Sequence, residues 1–182
     1  MVQPTQRGPD SAVRKPPPVQ ADPLQQLLDA HAQLRIACAL AQRVASIGGP
    51  PEVISGAAQQ LVRYFGDLLP LHEEDEDFSL TPLITHAAPD AGRVAVEQMV
   101  RAHAALEPYR ASLLGRWRAL AERPQSTVAR FRLQADTQRL CALVNAHLDH
   151  EEQVVFPLAR RVLRPFELER LREEMRARRG AN

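Results

Sequence analysis

Apolar residues recur three and four apart along most of this chain, the spacing of amphipathic helices. Asp22-Pro23 supplies an N-cap followed by proline at the first helical position, and Leu24, Leu27, Leu28, Leu34 and Ile36 carry a helix from there to about Ser46. Gly48-Gly49-Pro50-Pro51 ends it and opens the next. A second helix, roughly 52–85, has Val53, Ile54, Leu61, Phe65, Leu68 and Leu69 on its apolar side, and Pro70 predicts a kink near Gly66. His86 to Gly92 reads as a loop. The third helix carries Val94, Val96, Met99, Val100, Leu106, Leu113, Leu114, Trp117 and Leu120, with Pro108 predicting a second kink. Arg123-Pro124-Gln125-Ser126 breaks the pattern, with Ser126 as N-cap. Phe131, Leu133, Leu140, Leu143, Val144 and Leu148 then extend a fourth helix to about Leu163.

After Arg164-Pro165, the segment Phe166 to Arg179 predicts a short amphipathic helix with Phe166, Leu168, Leu171 and Met175 inward. Its many arginines are interleaved with glutamates, as on a solvated capping helix. Residues 1–21, with Pro4, Pro9 and Pro16-Pro17-Pro18 among polar neighbours, bury too little to fold and read as a disordered or polyproline-like tail. Four long helices joined by short loops predict an all-α, up-down-up-down antiparallel four-helix bundle over residues 22–180, with a short C-terminal helix.

The polar exceptions on these apolar faces form a repeat. His72, Glu76 and Pro82-Leu83 have the same spacings as His147, Glu151 and Pro157-Leu158. Histidine and glutamate four apart share one helix face, so each unit can aim an imidazole and a carboxylate at one cation. His31 and His103 sit on the apolar faces of the first and third helices, among Leu24, Leu27, Leu28 and Leu34, and among Val96, Met99, Val100 and Leu106. His147 has Leu140, Leu143, Val144 and Val154 as its apolar neighbours. In antiparallel neighbours, residues equidistant from the turn lie side by side. The midpoint of His31 and His72 falls beside Pro51, that of His72 and His103 between Ala87 and Ala88, and that of His103 and His147 at Gln125. All three are predicted turns, which puts four histidines on one layer. Glu76 and Glu151 then share a second layer about 6 Å further along, at 1.5 Å per residue.

Composition narrows the partners. A chain of 182 residues suits one domain, and a net charge of +1 gives no field to attract nucleic acid or an anionic membrane. Cys38 and Cys141 lack zinc-knuckle or redox spacing and read as small core residues. Neither a signal-peptide stretch nor a membrane-length apolar run is visible, so a cytoplasmic location is expected.

Histidines hydrogen-bonded to glutamate would account for one such position. Four on one level with two glutamates in register need more, because buried ionisable groups are costly unless paired or metal-bound. Six ligands exceed what four-coordinate zinc uses and suit two metals bridged by carboxylates. The mixed donors fit iron, with manganese or zinc also possible.

At these residues the chain resembles the hemerythrin-like, HHE cation-binding family: a histidine on the first helix, His-x-x-x-Glu on the second, a histidine on the third, and His-x-x-x-Glu followed by Phe-Pro on the fourth. The resemblance spans about residues 24–180. It implies His31, His72, His103 and His147 as terminal iron ligands and Glu76 and Glu151 as bridging carboxylates, with an oxo, hydroxo or water bridge completing a pair of iron ions. Oxygen-carrying hemerythrins have a further histidine, and an aspartate in place of the last glutamate. The difference argues against simple reversible oxygen carriage here. The Cys-bearing N-terminal segment common in iron–sulfur repair relatives is not present in this sequence.

Other polar positions are expected to be peripheral. Glu73 points about 100° away from His72 and reads as solvated, though some iron-sensing relatives recruit a glutamate there. His150, next to Glu151, reads as a surface residue with a supplementary ligand as the alternative, and His86 reads as ordinary surface. The acidic run Glu73 to Asp77 reads as a solvated face that helps draw cations inward. Three functions fit: a di-iron protein that binds or senses dioxygen, nitric oxide, peroxide or iron; a di-iron enzyme of peroxide or nitric oxide reduction or iron–sulfur repair; and a metal-free helical interaction module. Sequence does not decide whether the centre is catalytic.

Overall fold

The computed structural model describes residues 22–46 and 49–180; the Pro-rich tail 1–21 and Gly48 lie outside them. Every regular element among the described residues is helical. Helix α1 spans Pro23–Ser46, and the Asp22 carboxylate accepts a hydrogen bond from the Leu24 N–H at 3.1 Å, as an N-cap should. A second rod covers residues 51–87 in pieces: α2 (Pro51–Arg63), a π-helical turn (Tyr64–Leu68), α3 (Leu69–Glu74), a second π turn (Asp75–Leu80) and α4 (Thr81–Ala87). Helix α5 is a single rod, Pro89–Glu122. The fourth rod comprises α6 (Thr127–His150), a π turn (Glu151–Val155) and α7 (Phe156–Val162), and α8 (Pro165–Gly180) closes the chain.

The π turns follow from the prolines. Each ends two residues before one: Leu68 before Pro70, Leu80 before Pro82, and Val155 before Pro157. A proline in a regular helix forfeits one N–H bond and drives its ring into the carbonyl four residues back. One extra residue in the preceding turn shifts that carbonyl aside. The resulting bonds run five residues back, from Leu69 N–H to the Tyr64 carbonyl, Thr81 N–H to Glu76, and Phe156 N–H to Glu151. The kink expected near Gly66 is thus a π turn. Pro108 is accommodated without one, and α5 runs unbroken. Its ring lies on the exposed face, where helix carbonyls can tilt outward.

The expected loop His86 to Gly92 is far shorter. Its only break is at Ala88 (φ −144°, ψ 77°), with His86 exposed in the last turn of α4. Gly92 makes the corner possible, since a Cβ there would lie 2.8 Å from the Ile84 carbonyl oxygen. α5 packs on α2, α4 and α6; α1 packs on α2 and α6; and α8 packs on α1 and the second π turn. Specific contacts include Ser55 with Ala121, Arg110 with Phe65, Arg116 with Arg132, and Cys141 with Cys38. Both cysteines are buried and free, the Cys141 thiol donating to the Cys38 carbonyl at 3.6 Å.

Several positions counted in the apolar stripes face solvent: Ile36, Val53, Leu68, Val94, Val100, Phe131, Val154 and Phe166 are 43–75 % exposed. Helical spacing admits them only as flanks. Ile36, for example, is two residues from buried Leu34 and therefore on another face. The core itself is in two halves. One contains Leu34, Leu61, Phe65, Leu106, Trp117 and Val144, the other Leu27, Leu80, Ile84, Met99, Val155, Phe156 and Leu171. Burying side chains of this size contributes roughly 1.5–3 kcal/mol each. Three rods cross from one half to the other at a histidine, His31 between Leu27 and Leu34, His72 between Leu69 and Leu80, and His103 between Met99 and Leu106, while the fourth crosses one turn after His147, at Glu151 between Leu148 and Val155. Among the described residues, no helix is long and apolar enough to cross a membrane.

Candidate metal centre

The layer between the two apolar halves holds six buried polar side chains. His31, Glu76 and Glu151 are 0 % exposed, and His72, His103 and His147 are at most 8 % exposed. Their reactive ends converge. His31 Nε2 lies 3.2 Å from Glu151 Oε2 and 3.7 Å from Glu76 Oε1, and His72 Nε2 lies 3.2 Å from Glu76 Oε1. On the other side His103 Nε2 is 3.4 Å from Glu76 Oε2, His147 Nε2 is 3.3 Å from Glu151 Oε2, and the two Nε2 atoms are 3.2 Å apart. The two layers expected from residue numbers merge here. Helix side chains lean toward the N-terminus, so a glutamate one turn after its histidine reaches back to it.

These atoms form two groups of four: His31, His72, Glu76 and Glu151, and Glu76, His103, His147 and Glu151. Within each, one ligand atom per residue lies within 4.8 Å of the others. The groups share both carboxylates. The rings also pair, with His31–His72 centroids 5.2 Å and His103–His147 centroids 4.6 Å apart, both edge-on, while Phe156 stacks on His31 at 5.1 Å.

Whether this arrangement suits a metal can be read from its unmet polar atoms. His31 Nε2, both ring nitrogens of His72, His147 Nδ1 and all four oxygens of Glu76 and Glu151 are buried without a hydrogen-bond partner. They are close to one another yet lack hydrogen-bond geometry. Buried polar groups are rarely left so. A cation bound between imidazoles and carboxylates would satisfy Nε2 of His31 and His72 and the glutamate oxygens, leaving only Nδ1 of His72 and of His147 unmet, and this donor set suits transition metals.

Without metal, charge is distributed unevenly. Burial opposes charge on His31, but Glu151 and Glu76 outweigh it and raise its pKa to about 10. His103 reaches about 10 in the same way, burial being overcome by Asp77 and Glu76. His147 falls to about 3, chiefly by burial, and burial also lowers His72. Burial opposes the charge of Glu76 too, but His72, His103 and His31 hold its carboxyl well below the ordinary range. Glu151 is pushed up to about 8 by burial and by the adjacent Glu76 charge. Near neutral pH the metal-free cluster therefore keeps protons on His31 and His103, both facing the Glu76 carboxylate.

The residues around the six differ from expectation. The acidic run is only partly a solvated face, since Glu74 is 45 % exposed while the other members are more buried and each has a basic partner. Glu73 is only 15 % exposed and lies 3.7 Å from Arg110. Glu74 lies 3.8 Å from Arg178, and Asp77 lies 3.0 Å from His103 Nδ1. Asp75 is fully buried, bonded to Arg178 and, at 2.6 Å, to Arg179 of α8, while Arg178 also donates to Ser79 at 2.6 Å. The arginines of α8 are accordingly a clasp on the second π turn, not wholly a solvated face. His150 is half-buried rather than at the surface, its Nε2 2.9 Å from the Ala95 carbonyl oxygen. Neither Glu73 nor His150 is in either group of four.

Sequence reasoning missed two carboxylates that touch the site. Glu152 Oε1 lies 2.9 Å from His31 Nδ1 and is itself held by Arg35 at 2.7 and 3.2 Å; Asp77 makes the matching contact with His103. The signal was present, since an acidic residue stands five after the histidine in both copies of the repeat.

Comparison with known proteins gives one match. The family model described as hemerythrin HHE cation binding domain matches residues 22–159. No curated protein and no solved structure matches the chain.

Proposed function

Because the chain belongs to the hemerythrin HHE cation-binding domain family, we propose that it is a cytoplasmic, non-haem di-iron protein that binds or senses a small ligand (dioxygen, nitric oxide or peroxide) or iron itself. The observation that carries this reading is the pair of four-residue groups sharing Glu76 and Glu151. In this reading His31 and His72 would hold one ion, His103 and His147 would hold the other, and Glu76 and Glu151 would be shared by both. Iron bound there would supply redox chemistry. The chain's own contribution is to keep the six ligands converged and water excluded by the apolar halves above and below.

The rods contribute through their order. Contact pairs such as Ser55 with Ala121 and Arg110 with Phe65 have residue numbers that run in opposite directions. They support reading residues 22–180 as one up-down-up-down bundle with α8 attached, preceded by a Pro-rich tail. The test is metal content and absorption of protein purified from iron-replete cells. About two irons per chain, with charge-transfer absorption reaching into the visible, is the expected result. One iron per intact chain, or zinc alone, would overturn the di-iron reading, and sustained turnover of peroxide or nitric oxide would move the protein to the enzyme class.

A further inference from the structure

The two carboxylates outside the ligand set are arranged with the same symmetry as the ligands. Glu76 and Asp77 are consecutive in one π turn, and they approach His103 from opposite ring nitrogens: Glu76 Oε2 at 3.4 Å from Nε2, Asp77 Oδ1 at 3.0 Å from Nδ1. Glu151 and Glu152, consecutive in another π turn, treat His31 likewise, with Glu151 Oε2 at 3.2 Å from Nε2 and Glu152 Oε1 at 2.9 Å from Nδ1. In an ordinary helix, successive side chains diverge by about 100°. The wider π turn narrows that angle, which lets neighbouring carboxylates address one ring. The other two histidines have no such support, since Nδ1 of His72 and of His147 is buried without a hydrogen-bond partner. Each group of four therefore contains one histidine gripped from behind and one that is not.

We propose that Asp77 and Glu152 are positioning residues of the metal centre, one for each ion. Asp77 accepts the Nδ1–H of His103, and Glu152 accepts the Nδ1–H of His31, so that Nε2 turns its lone pair to a divalent cation. A carboxylate behind a ligating imidazole fixes its tautomer and ring orientation and raises its basicity. Arg35 orients Glu152 in turn, through two hydrogen bonds. The inference rests on the metal reading above and adds to it a division of labour: loss of Asp77 weakens the His103–His147 side, and loss of Glu152 weakens the His31–His72 side.

The test is a Co(II) titration of metal-free protein, followed by its visible d–d bands, for wild type, Asp77→Ala, Asp77→Asn, Glu152→Ala, Glu152→Gln and Glu73→Gln. Asp77 and Glu152 are 28 % and 30 % exposed, so these variants should keep their helical circular dichroism, and the isosteric amides provide a second route if an alanine variant does not. Wild type should bind two ions. Each alanine variant should weaken one of the two binding steps about 10–100-fold and change the bands of that ion alone. The amides, which retain an acceptor oxygen, should recover part of the loss. Glu73, in the same acidic run but paired with Arg110, should behave as wild type when made Gln. Alanine variants within about threefold of wild type with unchanged bands would overturn the proposal, as would equal weakening of both steps in all variants including Glu73→Gln. A wild type that binds no Co(II) would instead remove the metal reading itself.

Discussion

His72 and His103 face the same carboxylate from opposite sides, yet replacing each by leucine should move the stability of the metal-free protein in opposite directions. His72 is buried, its charge is disfavoured by burial, and neither ring nitrogen has a hydrogen-bond partner. Removing buried unsatisfied atoms recovers their desolvation cost of about 1–3 kcal/mol. Loss of the contact with Glu76, 3.2 Å away, subtracts from that gain, so His72→Leu should stabilise by about 1 kcal/mol. His103 is different. It carries a charge in the metal-free state, with Asp77 at 3.0 Å and Glu76 at 3.4 Å. Deleting one partner of a buried pair costs about 3–5 kcal/mol. Glu76 keeps His31 and His72 nearby and Asp77 is partly solvated, which places the cost of His103→Leu near the lower end, about 3 kcal/mol. Urea unfolding in chelator, followed by far-ultraviolet circular dichroism, reads both as midpoint shifts at constant slope. If His72→Leu destabilised as much as His103→Leu, the claim that the metal-free site holds uncompensated polar atoms on one side and paired charges on the other would be wrong.

The same charges set a pH dependence. His31 and His103, raised from 6.5 to about 10, and Glu151, raised from 4.5 to about 8, bind protons more tightly folded than unfolded. Their stabilisation is complete at low pH and is lost as pH rises toward 10, so the metal-free chain should melt lower at pH 9 than at pH 6. Metal must displace those protons, so the difference in melting temperature between loaded and chelated protein should widen over the same range; a constant difference would contradict the assignment. Asp75→Ala should cost about 2–3 kcal/mol, less than a fully buried pair because Arg178 and Arg179 can turn to solvent. Amide exchange should then quicken in α8, with α6 unchanged; unaltered α8 protection would show that Leu171 and Met175 alone hold it.

The level of the four histidines was legible because it depends on turn centres rather than turn lengths. The second turn shrank to Ala88, one residue from the centre of the expected loop, so His72 and His103 still both reach Glu76. The apolar faces were legible only in outline, since Ile36 and Val94 were counted in the same stripes as Leu34 and Val96 although they lie two residues away on other faces. Proline chemistry was read as a kink at Pro70, whereas Pro82 and Pro157 belonged to the repeat that places Glu76 and Glu151 in π turns. The acidic run was misread for a different reason. Its partners Arg110, Arg178 and Arg179 come from distant segments, and local sequence carries no sign of them. His150 illustrates the same limit, because its partner is the backbone carbonyl of Ala95.

The most direct measurement is an anomalous difference map from crystals of the iron-loaded protein. It should show two peaks about 3.5–4 Å apart, the spacing of two-metal sites, one beside His31 and His72 and the other beside His103 and His147, with Glu76 and Glu151 reaching both. A single peak in the layer, or metal bound elsewhere with the six side chains still unmet, would contradict the account.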